Sequence, residues 1–131
     1  MVAAAAEKLY SLLITDDDAA LRDALCTVFE PAGYDTHPAS CGAEAIRVVM
    51  RHRIHVAILD MQMPDLTGIE TICRIRDVTH SSIPYVLMSG DASKELRLKA
   101  LAAEAYSLIS KPFSVGIMRE VVDEIIQRYY S

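Results

Sequence analysis

The chain has 131 residues, 52% of them hydrophobic and 24% charged. That size and balance fit one globular domain with its own core and exclude a disordered chain. Thirteen Lys and Arg against 18 Asp and Glu give a net charge of −5, which argues against direct binding of nucleic acid. The longest apolar runs, such as Val56-Ala57-Ile58-Leu59, are strand-sized, so no segment reads as a membrane span.

Residues 1–8 lack the basic start and long apolar core of a secretory signal, and they read as a disordered leader ahead of a domain over 9–131. Three cysteines without a Cys-x-x-Cys pair fit unpaired thiols and a cytoplasmic setting. Cys26 and Cys73 fall in helical patterns and read as packing residues; Cys41 opens a helix and is expected to be partly exposed.

The first strand is expected over Leu9–Thr15, ending in Asp16-Asp17-Asp18. A helix follows over Ala19–Glu30, with Leu21, Leu25, Val28 and Phe29 at helical spacing and Asp18 as its cap. Pro31-Ala32-Gly33 stops it, and Tyr34–Pro38 reads as a short strand. Gly42–Arg51 is a second helix, with Ile46, Val49 and Met50 on its apolar face. His55–Leu59 is a continuous apolar strand, as expected when both sheet faces are covered, and it ends at Asp60. The loop Met61-Gln62-Met63-Pro64-Asp65 leads to a helix over Gly68–Arg76, marked by Ile69, Ile72 and Ile75. Tyr85–Ser89 is a strand, Ser93–Ala102 a helix and Tyr106–Ile109 the last strand. Ser110-Lys111-Pro112-Phe113 then leads to a helix over Gly116–Tyr130, striped by Met118, Val121, Val122, Ile125 and Ile126.

Five strand–helix units in strict alternation imply a parallel sheet with helices on both faces. The expected fold is α/β, flavodoxin-like and doubly wound, a (βα)5 unit of strand order 2-1-3-4-5. In such sheets the binding crevice lies beyond the carboxyl ends of the strands. There the first strand delivers Asp16 and Asp17, the third Asp60, the fourth Ser89 and the fifth Lys111. Three crowded carboxylates repel one another. A hard divalent cation relieves that, and carboxylates with a backbone carbonyl and water suit Mg²⁺. The Gln62 carbonyl, two residues past Asp60, is the expected fourth protein ligand. A carboxylate beside a metal, with a lysine and a hydroxyl near it, is a phosphoryl-transfer arrangement.

Four segments carry a family resemblance: Ile14-Thr15-Asp16-Asp17-Asp18-Ala19-Ala20-Leu21-Arg22, Ile58-Leu59-Asp60-Met61-Gln62-Met63-Pro64-Asp65-Leu66-Thr67-Gly68-Ile69-Glu70, Met88-Ser89-Gly90-Asp91 and Ser110-Lys111-Pro112-Phe113. In order, each at the end of a successive strand, they resemble the signatures of response-regulator receiver domains of two-component signalling. The resemblance spans about Leu9 to Tyr130. It implies a phosphoryl group accepted on Asp60 from a histidine kinase or phosphotransfer protein, with Asp16 and Asp17 holding the metal. It implies Ser89 as the switch hydroxyl, Lys111 as the phosphate-pairing lysine and a cis Lys111-Pro112 bond. Gln62 and Asp91 fall where the family tunes dephosphorylation. Output is expected through the face of the fourth helix, fifth strand and fifth helix, toward a downstream protein or domain. Such a protein is not an enzyme beyond its own phosphorylation and dephosphorylation. A homodimer is left open. Two positions depart from the pattern. Leu108 stands where the family usually has an aromatic, with Tyr106 expected on the same side of the strand, and Glu104 stands near a usually small residue.

Other features read more plainly. His52-x-x-His55 is expected to be two solvated histidines, because Arg51 and Arg53 repel cations; His37 and His80 read as lone loop histidines. Arg47, Arg51 and Arg53 read as a solvated helix end. Lys94, Arg97 and Lys99 read as a solvated face with some weight as a partner surface. The alternative function is a phosphorylation-independent docking module, suggested by Leu108. An aspartyl phosphatase is disfavoured because Gln62 stands where its second acid is needed. A flavin or dinucleotide site is disfavoured because no Gly-x-Gly-x-x-Gly follows the first strand.

Overall fold

The computed structural model describes residues 10–91 and 93–131. The expected leader, and Leu9 at the start of the first strand, lie outside the described residues. Five strands and five helices alternate: β1 (Tyr10–Thr15), α1 (Ala19–Phe29), β2 (Tyr34–Ala39), α2 (Gly42–Arg51), β3 (Val56–Asp60), α3 (Gly68–Thr79), β4 (Tyr85–Ser89), α4 (Lys94–Ala102), β5 (Ser107–Ser110) and α5 (Val115–Tyr130). All sheet pairs are parallel, in the order β2-β1-β3-β4-β5, as expected. About half of the boundaries fall as expected, and nearly all the others shift by one residue. The largest change is α3, which runs three residues past Arg76 and ends at His80 in the left-handed region.

Alternation along the central strands sorts the core into two layers. Leu12, Ile14, Val56, Ile58, Val86 and Met88 pack against Leu25 and Phe29 of α1 and Met118, Val122 and Ile125 of α5. Leu13, Ala57, Leu59, Tyr85 and Leu87 face Ala45 and Val49 of α2, Ile72 and Ile75 of α3 and Ala100 of α4. Every residue of β3 and β4 is buried, which is why those segments read as unbroken apolar runs.

The helices start on side-chain caps. Asp18 accepts from the Ala20 and Leu21 N–H groups, Ser93 from Leu96 and Ser114 from Ile117. Thr67 and Glu70 form a reciprocal capping box. The exception is α2, whose N-cap Cys41 makes no side-chain cap. Asp65, on the loop after β3, supplies it instead, accepting from Gly42 N at 2.9 Å and Ala43 N at 2.8 Å.

Several expectations need correction. Met50 is 69% exposed, because the buried positions of α2 are Gly42, Ala45 and Val49, a face rotated away from Met50. Cys73 is exposed rather than packed. His55 is not solvated: Tyr10 and Tyr130 flank it edge-on at 5.3 and 5.1 Å, and its Nδ1 accepts from Ser11 N. His37 lies in β2, bonded to Asp35 and stacked on His52 at 4.3 Å. Tyr106 falls before β5, so strand alternation does not govern it. It packs with the α1–α5 layer while Leu108 packs with the opposite one. The turn before β5 keeps a left-handed residue, Glu104 at φ 62°. Its N–H bonds Leu101 O, and Ala105 N–H bonds Ala100 O, the pattern of a Schellman cap.

Candidate functional site

Strand polarity brings the predicted residues to one edge of the sheet. Asp16 follows β1, Asp60 ends β3, Ser89 ends β4 and Lys111 follows β5. Asp16, Asp17 and Asp60 can each offer one carboxylate oxygen with all three within 4.8 Å of one another. Asp16 and Asp60 are buried and Asp17 is exposed, so the cluster opens to solvent on one side.

The rest of the edge is ordered around those acids. Asp16 Oδ1 accepts from Asp18 N at 2.8 Å, and its Oδ2 takes a 2.7 Å bond from Lys111 Nζ. The same ammonium lies 3.3 Å from Asp60 Oδ1. Burial pushes the Asp60 carboxyl above its ordinary range, and the Asp16 charge adds to that, against the pull of Lys111. Burial lowers Lys111, but its bond to Asp16 and the charge of Asp60 outweigh that and raise it. Lys111 therefore stays a cation, and it pairs with two of the three clustered carboxylates, Asp16 and Asp60. That surplus of hard oxygen donors fits a divalent cation.

Ser89 is buried, and its Oγ accepts from Asp91 N at 3.0 Å. The Lys111 N–H bonds the Ser89 carbonyl at 2.8 Å, coupling the ends of β4 and β5. The Lys111-Pro112 bond is cis, as expected. The positions expected to modulate the site differ in their surroundings. Gln62 is exposed, bridges Thr67, and donates its N–H to Asp60 Oδ1 at 3.4 Å. Both Asp91 carboxylate oxygens accept from Ser93, one from its N–H and one from its hydroxyl. Leu108 is partly buried and packs against the α2–α3–α4 layer.

Four supporting residues, Arg22, Gly68, Tyr85 and Arg76, carry roles that the sequence reading does not assign. Arg22 donates to the Asp16 carbonyl at 2.6 Å, holding the loop that carries the acid pair. Its spacing of four from Asp18, one helical turn, was the available signal. Gly68 begins α3 against β3: a Cβ there would stand 2.7 Å from the Asp60 carbonyl oxygen and 2.8 Å from Leu87. On the far side of α4, the Tyr85 hydroxyl and the Arg76 guanidinium both donate to the Ala103 carbonyl, at 2.7 and 3.2 Å. Arg76 also lies over the Tyr85 ring at 5.2 Å. A Tyr and an Arg that converge only in the folded chain leave no mark in sequence spacing.

Among the described residues, no helix is long and apolar enough to cross a membrane. The family profile described as the response regulator receiver domain matches residues 12–123. The regulatory protein AtoC of Escherichia coli K12 is 29% identical over 116 residues, 88% of this chain and 25% of AtoC. Sporulation initiation phosphotransferase F of Bacillus subtilis 168 is 29% identical over 115 residues, 88% of this chain and 92% of that protein. The chain thus spans a quarter of the first relative and nearly all of the second. Among solved structures, the receiver domain of Francisella response regulator 1452 superposes with a TM-score of 0.83 at 28% identity, covering 91% of this chain and 98% of that one.

Proposed function

The chain belongs to the response regulator receiver domain family of two-component signalling, and on that premise we propose that Asp60 is its phosphoacceptor, fed by a histidine kinase or a phosphotransfer protein. Receiver domains are signalling modules rather than true enzymes, and the only reaction proposed here is the chain's own phosphorylation and its reversal. The reading places the protein in the cytoplasm and its domain over residues 9–131.

The observation that carries the proposal is the Lys111 ammonium held between Asp16 and Asp60 at the open edge of the sheet. An Asp60 carboxylate oxygen attacks phosphorus, and the bond from phosphorus to the donor's imidazole nitrogen breaks. The nitrogen leaves with that electron pair, and one acyl phosphate forms on Asp60. Lys111 pairs with a second phosphoryl oxygen, exchanging part of its contact with Asp16 for it. The Ser89 hydroxyl turns from the Asp91 N–H to donate to a third. Asp16, Asp17, Asp60 and the Gln62 carbonyl would hold Mg²⁺, which when bound neutralises charge on the transferred group. Gln62 and Asp91 border the same edge and would tune water access. Reorganisation after Ser89 would then change the α4–β5–α5 face that an output protein or domain reads.

Incubation with Mg²⁺ and a small acyl phosphate tests this by intact mass. Wild type should gain one phosphoryl group per chain, and Asp60→Ala none. Equal uptake by both, or none by wild type with Mg²⁺ bound, defeats the proposal. One observation favours a second reading. Leu108 packs partly buried against one core layer and Tyr106 against the other, so Leu108 brings no aromatic ring to the position that would relay Ser89 movement. Partner affinity unchanged by phosphorylation would mark a constitutive docking module.

A further inference from the structure

The chain is acidic overall, but the sheet edge opposite the carboxylate cluster has the reverse character. There a cleft of about 680 Å³ opens between the C-terminal ends of α2 and α3. Arg51, His52 and Arg53 line it, together with Met50, Val78 and Tyr130, and among the described residues no carboxylate side chain does. Neither Arg51 nor Arg53 forms an ion pair among the described residues. The nearby carboxylates are spent or aimed elsewhere: Asp35 is bonded to His37, and Asp77 of α3 does not line the cleft. Arg51, in the last turn of α2, complements the helix dipole. Arg53 lies beyond the helix, so that role does not account for it.

The apolar walls are as unusual as the charge. Met50 is 69% and Val78 47% exposed, and both line the cleft together with the two arginines. An exposed Met and Val in one cleft with two arginines that form no ion pair among the described residues match a ligand that is apolar on one side and acidic on the other. Carboxylates engage the guanidinium forks bidentately, and apolar side chains cover Met50 and Val78. A bare phosphate would leave those walls wet.

We propose that the Arg51–Arg53 cleft docks an acidic amphipathic segment of a partner protein. β3 runs from this edge to Asp60, and five residues at about 3.3 Å each put the cleft roughly 17 Å from the acceptor carboxylate. A partner seated there leaves the phosphorylation edge open, so the cleft tethers the protein without competing with the phosphodonor.

The probe is a fluorescein-labelled helical peptide with Leu along one face and Glu along the other, read by anisotropy against the full chain. It should bind, and Arg51→Glu with Arg53→Glu should weaken binding at least tenfold, about 1.4 kcal/mol. Met50→Ser with Val78→Ser should weaken it about fivefold. Both pairs are solvent-facing, and unchanged thermal melts would show that they fold. Replacing Glu by Lys in the probe should abolish binding, and phosphoryl uptake on Asp60 should be unchanged throughout. Absence of binding, or equal binding by the charge-reversed variant, overturns the proposal. So does equal binding of a probe with Ala for Leu, or displacement by millimolar phosphate, since either makes the cleft a simple anion site. A tenfold gain on deleting residues 1–8 also overturns it, by making the chain's own leader the occupant.

Discussion

Asp65→Ala removes the substitute cap of α2. The carboxylate accepts from Gly42 N at 2.9 Å, Ala43 N at 2.8 Å and Leu66 N at 2.8 Å, and Cys41 makes no side-chain cap of its own. Loss of an N-cap costs about 0.5–2 kcal/mol. Two of these bonds cross from the β3–α3 loop to another helix, which favours the upper end of that range, whereas solvent exposure argues against exceeding it. An unfolding entropy of about 2.1 cal/mol/K per residue gives roughly 0.28 kcal/mol/K for this chain, so about 2 kcal/mol lowers Tm by roughly 7 °C. The penalty is pH-dependent. The Ala43 and Gly42 N–H groups hold the Asp65 carboxyl below its ordinary range. Its ionic contribution is present above the unfolded value of about 3.9 and is lost as pH falls through the folded value. Calorimetry of wild type and Asp65→Ala from neutral to acid pH checks both parts. A gap under about 2 °C at neutral pH, or one that stays constant into strong acid, refutes the cap as the source of stability.

Glu104 sits in the left-handed region, so Glu104→Gly should stabilise by about 0.5–1 kcal/mol, raising Tm by roughly 2–4 °C. Gly68→Ala drives a Cβ against the Asp60 carbonyl and Leu87; chemical denaturation should show a loss of about 1–3 kcal/mol, and phosphoryl uptake should slow. Burial and the charge of Arg53 lower the His55 pKa below its usual 6.5, and its Nδ1 is already an acceptor for Ser11 N. The unfolded chain therefore binds more protons near that pH, and stability should fall as pH drops from about 7.5 to about 5.5. Melts of His55→Gln across that range should show a shallower slope.

The sheet order was legible because β3 and β4 are apolar up to their last residue, and because β1, β3, β4 and β5 each lead into polar residues, Asp16, Asp60, Ser89 and Lys111, that a shared edge explains. Asp16, Asp60, Ser89 and Lys111 converge for the same reason: parallel strands deliver successive loops to one side. What escaped depends on tertiary packing. The face that α2 buries is set by Gly42, Ala45 and Val49 against β1 and α3, so Met50 points outward despite its hydrophobicity. His55 is enclosed by Tyr10 and Tyr130, which lie 45 and 75 residues away in the chain. Tyr106 lies one residue before β5, and that single residue removes it from the alternation that would have placed it with Leu108. Asp65 reads as loop punctuation until α2, more than twenty residues upstream, is seen to lack its own cap.

The account rests on Asp60 as the atom-level acceptor. Borohydride treatment after phosphorylation reduces an aspartyl phosphate to homoserine, and peptide mass mapping then locates it. The prediction is homoserine at Asp60 alone, dependent on added Mg²⁺. Homoserine at Asp16 or Asp17, or none at Asp60 in a chain that carries a phosphoryl group, would contradict it.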